Sequence, residues 1–330
     1  MLVKILLTGA FGNIGQNALA ELLNQRHQVR CFDIASKRNV RAAKRYADRV
    51  EIVWGDVRRP PDVASAVVGC DAVIHLAAII PPLSEARPEW AQAINVEGTR
   101  ALVGAMQAQP TPARLVFASS VSVFGPNSGA RRPRRASDPV NATDHYTRHK
   151  IACEQIIRSS DLQWAILRLG VVPPIRLGHI DPVMFEISLD SRLEYVNSRD
   201  VGLALANAVT SGGIWGRTLL IGGGSTCQMR YRDYVGGALR AMGIGKLPEK
   251  AFSLAPCYTD WMDTSESQAL LRYQRHGFDT WLRDLKKQYG AARWLIPLVR
   301  PFVRWGLLWQ SPYYRASLPW LRYRWSATQR

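Results

Sequence analysis

A tyrosine and a lysine four residues apart, Tyr146 and Lys150, are the residues of this chain best suited to acid–base chemistry. On a helix, positions i and i+4 share one face, so the phenol and the ammonium group can lie side by side. A neighbouring positive charge favours the phenolate and lowers the pKa of the tyrosine. We therefore expect Tyr146 to exchange a proton with a carbonyl or hydroxyl oxygen of a bound substrate.

A glycine-rich segment, TGAFGNIG from Thr8 to Gly15, follows a short apolar run and precedes a helix-like pattern. Glycines at such a point permit a tight turn and let backbone amides approach a pyrophosphate, while the helix start adds unpaired N–H groups. We therefore expect a dinucleotide here. The predicted contacts are Gly9, Phe11, Gly12, Asn13, Ile14 and Gly15.

An aspartate, Asp33, ends the second strand-like run. A carboxylate at this point can accept hydrogen bonds from both hydroxyl groups of an adenosine ribose, and it repels a 2′-phosphate. This predicts NAD as the cofactor in preference to NADP. Lys37 and Arg38 lie close by in the sequence and could soften the preference, or they could simply be solvated charges at a helix start.

Short apolar runs alternate with helix-like segments through the first half of the chain. The predicted strands are 3–7, 28–32, 50–54, 72–76, 114–118 and 164–169, and the predicted helices are 14–24, 39–47, 61–68, 89–107 and 144–158. Near-continuous apolar strands that alternate with helices indicate a parallel α/β sheet covered on both faces and doubly wound by right-handed crossovers. Ligands bind such a sheet at the carboxyl ends of its strands.

The chain is predicted to divide into three parts. A Rossmann domain that binds NAD takes residues 1–170, and a smaller substrate-binding region takes residues 171–290 with helices over 199–209 and 230–242 and a strand over 218–221. Residues 291–330 form a basic, aromatic extension.

The order of these motifs resembles the extended short-chain dehydrogenase/reductase family, the NAD-dependent epimerases and dehydratases. The spacing TGxxGxxG at 8–15 is typical of that family, as is YxxxK at 146–150. GDV at 55–57, HLAA at 75–78 and NVEGT at 95–99 are similar to its adenine-contacting segment, the stretch after its fourth strand and its central helix. The resemblance covers roughly residues 1–245 and is specific for the family, not for a substrate.

The resemblance implies further site residues. VFASSVSVFG at 116–125 is similar to the family's serine strand, which makes Ser120 the serine that hydrogen-bonds the substrate oxygen and leaves Ser119 as the alternative. Asn95 would hold a water that relays protons to Lys150. The implied catalytic residues are Ser120, Tyr146, Lys150 and Asn95. The implied cofactor contacts beyond the glycine-rich turn and Asp33 are Asp56, Val57, Leu76, Ala77, Ala78, Asn95, Ser119, Tyr146, Lys150, Gly170 and Val171.

Members of this family act on sugar nucleotides, steroids and other hydroxy or keto compounds. The dehydratases carry acidic residues beside the serine, where this chain has Ser120-Val121. The epimerases usually have a long insertion after the sixth strand, but only about twenty-five residues separate Pro174 from Arg199 here. We therefore expect a dehydrogenase or reductase of a small or apolar substrate, with a sugar-nucleotide epimerase as the alternative.

An alternative of a different class is a catalytically silent protein that binds NAD as a sensor or assembly factor. The intact serine, tyrosine and lysine favour the enzyme. The sequence has no HExxH motif, no Cys/His cluster and no GxSxG motif, so no metal site and no nucleophile elbow are expected.

A basic cluster between Ser120 and Tyr146 could bind an anionic substrate group or be a solvated loop; its members are Arg131, Arg132, Arg134 and Arg135.

The formal net charge of +17 is concentrated near the end of the chain. No Asp or Glu follows Asp284, whereas nine basic residues do, and five tryptophans follow residue 293. Arginine and aromatic residues without acids are typical of a segment in a bilayer interface, while Pro297 and Pro301 argue against one straight helix. An anionic membrane surface is therefore the expected partner of this segment. The alternative is that the segment packs on the protein itself or on a second subunit. Nucleic acid is not expected as a partner, because the aliphatic blocks suit lipid better.

The remaining composition favours a cytoplasmic protein, with or without peripheral membrane association. The five cysteines are scattered and form no CxxC pair, which is typical of a reducing compartment. No run of about 18 apolar residues predicts a spanning helix, and the first apolar run is too short for a signal peptide.

Overall fold

Seven parallel strands form one sheet in the computed structural model, which describes residues 2–126, 132–173, 180–255 and 257–318 apart from the side chain of Trp294. In spatial order the strands are β3 (Glu51–Trp54), β2 (Gln28–Asp33), β1 (Lys4–Thr8), β4 (Ala72–His75), β5 (Arg114–Ser120), β6 (Trp164–Leu169) and β8 (Arg217–Ile221). The order reverses between β1 and β4, so the carboxyl ends of these two strands flank a crevice suited to a ligand.

Helices cover both faces of the sheet. They are α1 (Asn13–Asn24), α2 (Lys37–Ala43), α3 (Pro60–Val67), α4 (Leu83–Ala86), α5 (Pro88–Gln92), α6 (Gly98–Gln107), α7 (His145–Arg158) and α8 (Ser198–Thr210). Neighbouring residues of β1 pack in two different apolar clusters, one on each face of the sheet. Ile5 and Leu7 pack with α1 and α8 in the first cluster, whereas Leu6 packs with α3, α6 and α7 in the second. The predicted doubly wound α/β sheet is confirmed, because strands buried on both faces need to be apolar at nearly every position.

The predicted helix over 89–107 is interrupted in the structure. A π-helical segment, Ala93–Glu97, separates α5 from α6. Such segments hold one extra residue per turn and are frequent at functional sites. Periodicity alone did not reveal this interruption, because the flanking turns keep a helical pattern.

The second half of the chain adds a small antiparallel pair and further helices. β7 (Arg192–Glu194) pairs with β9 (Gln228–Arg230), and the remaining helices are α9 (Tyr231–Ala241), α10 (Ser265–Leu271), α11 (Phe278–Tyr289), α12 (Ala292–Leu295), α13 (Arg300–Gln310) and α14 (Pro312–Ala316). The short strands β7 and β9 and the helices from α10 to α14 were not predicted. The two strands and α10, α12 and α14 are too short to show a period, whereas α11 has apolar residues at helical spacing, Phe278, Trp281, Leu282 and Leu285, a signal that was missed. Residues of β7, α11, α13 and α14 pack in a third apolar cluster, and Leu271 of α10 packs in the cluster that contains Ile5 and Leu7.

Helices α13 and α14 and the residue after α12, Ile296, pack on that third cluster. Leu307 is buried in it, and Ile296, Val303 and Leu308 pack against it. Pro301 lies in the first turn of α13, where a missing N–H costs no hydrogen bond, so the expectation that the prolines divide this segment is confirmed. Among the residues that the structure describes, no helix has both the length and the apolar composition needed to cross a bilayer.

Candidate active site

The predicted site residues follow the carboxyl ends of adjacent strands. Thr8 of β1 pairs with His75 of β4, which pairs with Phe117 of β5, so β1 and β4 end at the same level and β5 continues to Ser120. Ser120 of β5 pairs in turn with Leu169 of β6. The glycine-rich turn and the segments that begin at Leu76, Ser120 and Gly170 therefore meet at one edge of the sheet.

Glycines are required in the turn after β1 for two reasons. Gly9 has a φ of +65°, which favours glycine, and a Cβ there would lie 2.9 Å from the amide nitrogen of Ala77. A Cβ on Gly15 would lie 2.2 Å from the Gly9 carbonyl oxygen, so Gly15 lets α1 approach the turn. Gly12, which lines the cleft described below, caps α1 without a side chain, so no side chain caps the first amides of the helix. This bare helix start fits a phosphate group.

Asp33 lies at the end of β2, beside this turn. Its Oδ2 accepts a hydrogen bond from the Phe11 amide at 3.0 Å, and its Oδ1 accepts from the Ile34 amide at 2.8 Å and from Asn39 Nδ2 at 2.9 Å. Burial raises the pKa of Asp33, while the bonds from Phe11 and Ile34 and the nearby Arg38 act to lower it. The carboxylate thus also ties the glycine-rich turn to β2, a structural role that the sequence did not indicate.

A cleft extends from the glycine-rich turn past Asp33. Of the predicted cofactor contacts it is lined by Gly9, Gly12, Asp33, Asp56, Val57, Leu76, Ala77 and Ala78. It is also lined by Phe32, Ile34, Asn39, Gly55, Arg58, Ile79, Trp90 and Ile94, which sequence reasoning missed. The motif GDV at 55–57 was the available signal for Gly55, which is its first residue, and for Arg58, which follows it. Lys37 and Arg38 lie outside the cleft, in an exposed basic groove with Arg41 and Arg45.

His75 is a structural residue at the floor of the site. Its Nδ1 lies 2.7 Å from the Thr8 hydroxyl, and its Nε2 lies 3.1 Å from the Thr99 hydroxyl. Because Thr99 donates its proton to the Asn95 carbonyl at 2.6 Å, Nε2 is the donor to Thr99 and Nδ1 accepts from Thr8. Burial, and then the charge of Lys150, lowers the pKa of His75 to about 3, so the ring stays neutral.

Asn95 lies in the π-helical segment, and its carboxamide binds the backbone of Ile79. Its Oδ1 accepts from the Ile79 amide at 2.7 Å, and its Nδ2 donates to the Ile79 carbonyl at 2.9 Å. Its backbone carbonyl accepts from Thr99 and from the Cys153 thiol. Asn95 therefore holds the loop after β4 that lines the cleft, and its predicted relay toward Lys150 stays a prediction.

Tyr146, Ser120 and Lys150 come together beside the end of β5. The Tyr146 hydroxyl forms a hydrogen bond with the Ser120 side chain. The Ser120 hydroxyl lies 2.8 Å from that of Ser122 and accepts from the Ser122 amide at 3.2 Å. Lys150 Nζ lies 5.8 Å from the centre of the Tyr146 ring and donates to the Ala118 carbonyl at 2.7 Å. The three side chains predicted to do the chemistry are thus neighbours.

The protein by itself does not lower the pKa of Tyr146, contrary to the expectation from the lysine. Burial raises the pKa of the Tyr146 phenol, and the hydrogen bond with Ser120 opposes that rise only in part. Burial also lowers the pKa of Lys150, while Cys153 and Glu154 act to raise it. Burial is the largest cause of both shifts, because a charge loses its hydration when it is removed from water.

The Ser119 side chain points away from this group and into a buried ion pair, while its predicted cofactor contact stays a prediction. Its hydroxyl donates to Glu154 Oε1 at 2.6 Å. Glu154 accepts two further bonds from Arg168, at 2.9 Å from Nε and 2.7 Å from Nη2, and Arg168 Nη1 donates to the Ala136 carbonyl at 3.0 Å. Strand alternation explains the choice, because neighbouring residues of β5 face opposite sides. Ser120 is therefore the serine that faces Tyr146.

The N-terminus of α7, where Tyr146 lies, is held from two sides. Asp144 accepts from the Thr147 amide at 2.7 Å in a capping box. Glu85 of α4 accepts from the His145 and Tyr146 amides, each at 3.0 Å. Burial acts to raise the pKa of Glu85, but these two bonds bring it below its ordinary value. Glu85 has no sequence signal, because its partner helix begins sixty residues later.

The arginine cluster before α7 is engaged in ion pairs rather than turned toward Tyr146. Arg132 pairs with Asp138 at 2.6 Å, and Arg134 pairs with Asp260 at 3.2 Å. Arg135 lies 3.9 Å from Asp263. Arg131 lies outside the described residues. These pairs favour a structural role over binding of an anionic substrate group.

Gly170 and Val171 continue β6 toward the second half of the chain. The Gly170 amide donates to the Ile221 carbonyl at 2.9 Å, and the Val171 amide donates to the Glu194 carbonyl at 3.1 Å. A Cβ on Gly170 would lie 2.7 Å from the Met262 side chain, so glycine permits close packing here. The predicted cofactor role of these two residues stays a prediction.

Comparison with known proteins agrees with this arrangement. The chain belongs to the NAD dependent epimerase/dehydratase family, whose family model matches residues 5–173. The predicted family is confirmed, and the matched region contains the glycine-rich turn, Asp33, Ser120, Tyr146 and Lys150.

Two groups of relatives are similar in sequence. A 3-beta-hydroxysteroid dehydrogenase of Mycolicibacterium neoaurum is 31% identical over 188 residues, which are 55% of this chain and 50% of that protein. A UDP-glucose 4-epimerase of Bacillus subtilis is 30% identical over 199 residues, which are 54% of this chain and 57% of that protein. The similarity thus spans about half the length of these relatives.

Solved structures share the fold over most of the chain. A UDP-glucose-4-epimerase from Stenotrophomonas maltophila, crystallised with NAD and formylated UDP-arabinopyranose, has a TM-score of 0.73 at 23% identity and covers 88% of this chain and 99% of its own. A dTDP-glucose 4,6-dehydratase from Streptomyces venezuelae, crystallised with NAD, has a TM-score of 0.74 at 20% identity, with 86% and 96% covered. At these identities the likeness describes the fold.

Proposed function

We propose that this chain is an NAD(H)-dependent oxidoreductase that interconverts a hydroxyl and a carbonyl group on a small or apolar substrate. The observation that carries the proposal is the contact between the hydroxyl groups of Tyr146 and Ser120, with the buried Lys150 beside them. A catalytically silent NAD sensor or assembly protein would not need these three groups together. NAD would supply the hydride acceptor, and the cleft from Gly12 to Asp33 would hold it.

In this mechanism Ser120 donates a hydrogen bond to the substrate oxygen and so holds it against the Tyr146 hydroxyl. Tyr146 takes the proton from a hydroxyl substrate or returns it to a carbonyl substrate. Lys150 favours the deprotonated phenol electrostatically. Glu85 and Asp144 position Tyr146 by fixing the start of α7, and the pair of Glu154 and Arg168 positions β5 from beneath.

An apolar substrate is supported by the surface around the start of α7. Ile80 and Leu83 are exposed on the segment that leads to Glu85, the residue that binds the Tyr146 amide. Tyr258 is partly exposed and close enough to Asp144 and Glu85 for their charges to act on its pKa. The relatives named as hydroxysteroid dehydrogenases agree with a substrate of this class.

The test is a spectrophotometric screen with NAD as the oxidant. Hydroxysteroids and other apolar secondary alcohols should produce NADH, and sugar nucleotides should not. A sugar-nucleotide epimerase is the second candidate, supported by the relative of that name. Conversion of UDP-glucose to UDP-galactose without net NADH, together with no response to any alcohol, would replace the first proposal with the second.

Removing the charge of Asp33 should weaken the preference for NAD over NADP. We expect wild-type protein to bind NAD more tightly, and Asp33→Asn to reduce the ratio of the two affinities at least about tenfold, because a carboxylate repels the 2′-phosphate. The asparagine of Asp33→Asn retains one oxygen that can accept a hydrogen bond from the Phe11 or the Ile34 amide. Asp33→Ala should also reduce the preference for NAD, but it leaves both amides without a side-chain acceptor. Asp48→Asn is the matched control. Calorimetric titration that showed NADP preferred by the wild type would contradict the assignment.

The two directions of the reaction should respond differently to pH. The pKa of Tyr146 is raised, so the phenolate that accepts a proton from an alcohol becomes more abundant as pH rises. Oxidation should therefore accelerate by up to about tenfold per pH unit below that pKa, whereas reduction, which needs the neutral phenol, should change little. Initial rates with the alcohol found in the screen and with its ketone would measure both. Identical profiles in the two directions would exclude Tyr146 as the proton carrier.

The proposed partners are NAD and one small-molecule substrate, and the proposed location is the cytoplasm. The predicted homodimer stays a prediction. The predicted membrane partner concerns a surface outside this site, on α12 to α14.

A further inference from the structure

The surface of α12 and α13 exposes an unusual group of large apolar side chains. Leu295, Leu298, Val299, Phe302 and Trp305 have exposed fractions of 63%, 77%, 47%, 76% and 64%. All five lie within eleven residues of sequence, and Phe302 and Trp305 are spaced i, i+3 on one side of α13. We refer to these five residues as the apolar face. Apolar residues grouped in this way mark an interaction site more often than scattered single residues do.

The apolar face is held on a packed base. Val303, Leu307 and Leu308, on the other side of α13, pack into the third apolar cluster. The Ser311 hydroxyl, which is buried, donates to the Ala251 carbonyl at 2.6 Å, and the Tyr313 hydroxyl donates to Glu186 Oε2 at 2.5 Å. The exposed residues therefore do not belong to an independent tail. Deletion of residues 294–330 would uncover the cluster and destabilise the chain, so it cannot test what the apolar face binds.

The charged residues on the segment that carries the apolar face are of one sign. No acidic residue follows Asp284 in the sequence, while nine basic residues do. Lys286, Lys287 and Arg300 are exposed, and Arg304 is partly exposed on α13 itself. A symmetric contact between two copies would bring this patch against itself and place like charges together, which is unfavourable. An anionic partner is complementary to it.

We propose that the apolar face docks on a bilayer surface that contains anionic lipid. Phe302 and Trp305 insert at the boundary between headgroups and acyl chains, where aromatic rings are favoured. Leu295, Leu298 and Val299 add aliphatic area, which would have no stacking role on a nucleic acid. Arg300 and the two lysines at the end of α11 lie against the lipid phosphates.

The test is cosedimentation of the full chain with vesicles of phosphatidylcholine alone or mixed with phosphatidylglycerol. The wild type should bind the mixed vesicles more strongly. The double variant Phe302→Ser/Trp305→Ser should bind them at least about tenfold more weakly, because each ring contributes a large apolar area. The control Leu2→Ser/Val68→Ser removes two exposed apolar side chains elsewhere and should bind as the wild type does.

A second pair of variants tests the charge. Arg300→Gln should weaken binding to the mixed vesicles about fivefold. Arg45→Gln removes an exposed arginine from the basic groove near α2 and should reduce binding to the mixed vesicles less than Arg300→Gln does. Thermal unfolding of each variant at the wild-type temperature would show that the fold is intact. The proposal is overturned if the wild type binds neither vesicle, or if the double variant binds as well as the wild type. It is equally overturned if the double variant converts a dimer to a monomer without a change in lipid binding, which would make the face a contact between copies.

Discussion

Replacing Tyr146 by phenylalanine should lower kcat by about 10²–10⁴-fold, the usual cost of losing a general acid–base group. The substitution removes only the hydroxyl that contacts Ser120 and leaves the ring beside Lys150 in place. NAD affinity should stay nearly unchanged, because the glycine-rich turn and Asp33 carry most of the proposed cofactor contacts. Steady-state rates with the alcohol found in the screen and calorimetric titration with NAD would measure the two effects separately.

Tyr46→Phe is the matched control, because it makes the same chemical change at a partly buried tyrosine far from the proposed reaction centre in the sequence. Tyr46 packs against the apolar cluster that contains Ile5 and Leu7. It should retain full activity. Turnover of Tyr146→Phe within a fewfold of wild type would remove the tyrosine from the mechanism, even if the family assignment stands.

Replacing Arg168 by methionine should destabilise the protein by about 3–5 kcal/mol, the cost of leaving one member of a buried ion pair without its partner. Both Arg168 and Glu154 are almost fully buried, and they are joined by two hydrogen bonds. Urea unfolding followed by circular dichroism would measure the change. The variant should also lose activity under native conditions, since Ser119 and β5 rest on the same carboxylate.

The same carboxylate provides the control. Arg158 lies 3.4 Å from Glu154 but is 40% exposed, so Arg158→Met should cost about 1 kcal/mol or less. Equal costs for the two variants would show that burial of Arg168 is not what makes its ion pair important.

The buried pair also predicts how stability depends on pH. Burial acts to raise the pKa of Glu154, but the bonds and charge of Arg168, with help from Ser119, bring it below its ordinary value of 4.5. Because the folded pKa is the lower one, this contribution is fully present above pH 4.5 and is lost as pH falls through the folded value. In Arg168→Met the pair is absent, so its contribution to the pH dependence should disappear. The free energy of unfolding of this variant should therefore fall less between pH 4.5 and lower pH than that of the wild type.

Local pattern was sufficient for the elements around the cofactor cleft. Apolar runs predicted all seven strands of the sheet within one or two residues of their ends, because a strand covered on both faces has to be apolar throughout. Gly9 was predictable for a similar reason, since a φ of +65° leaves few alternatives to glycine. Tyr146 and Lys150 were predictable because a helix places i and i+4 on one side.

Choices between neighbouring residues needed the folded chain. The sequence left Ser119 and Ser120 as alternatives, and the choice depends on Glu154 and Arg168, which lie 35 and 49 residues beyond Ser119. Asn95 matched a family motif, yet its carboxamide binds the Ile79 backbone, a contact made possible by the π-helical segment. Neither contact leaves a local periodic signal.

By itself the sequence determined the family, the doubly wound sheet, the cofactor class and the three side chains placed at the proposed reaction centre. Each of these depends on backbone geometry or on residue spacing within one element, and such constraints act on residues that are close together in the sequence. The tertiary structure alone decided that burial raises the pKa of Tyr146 despite Lys150, and that the segment from α12 to α14 packs on a core while presenting an apolar face. These features depend on which distant residues exclude water from a group, and that is settled only when the chain has folded.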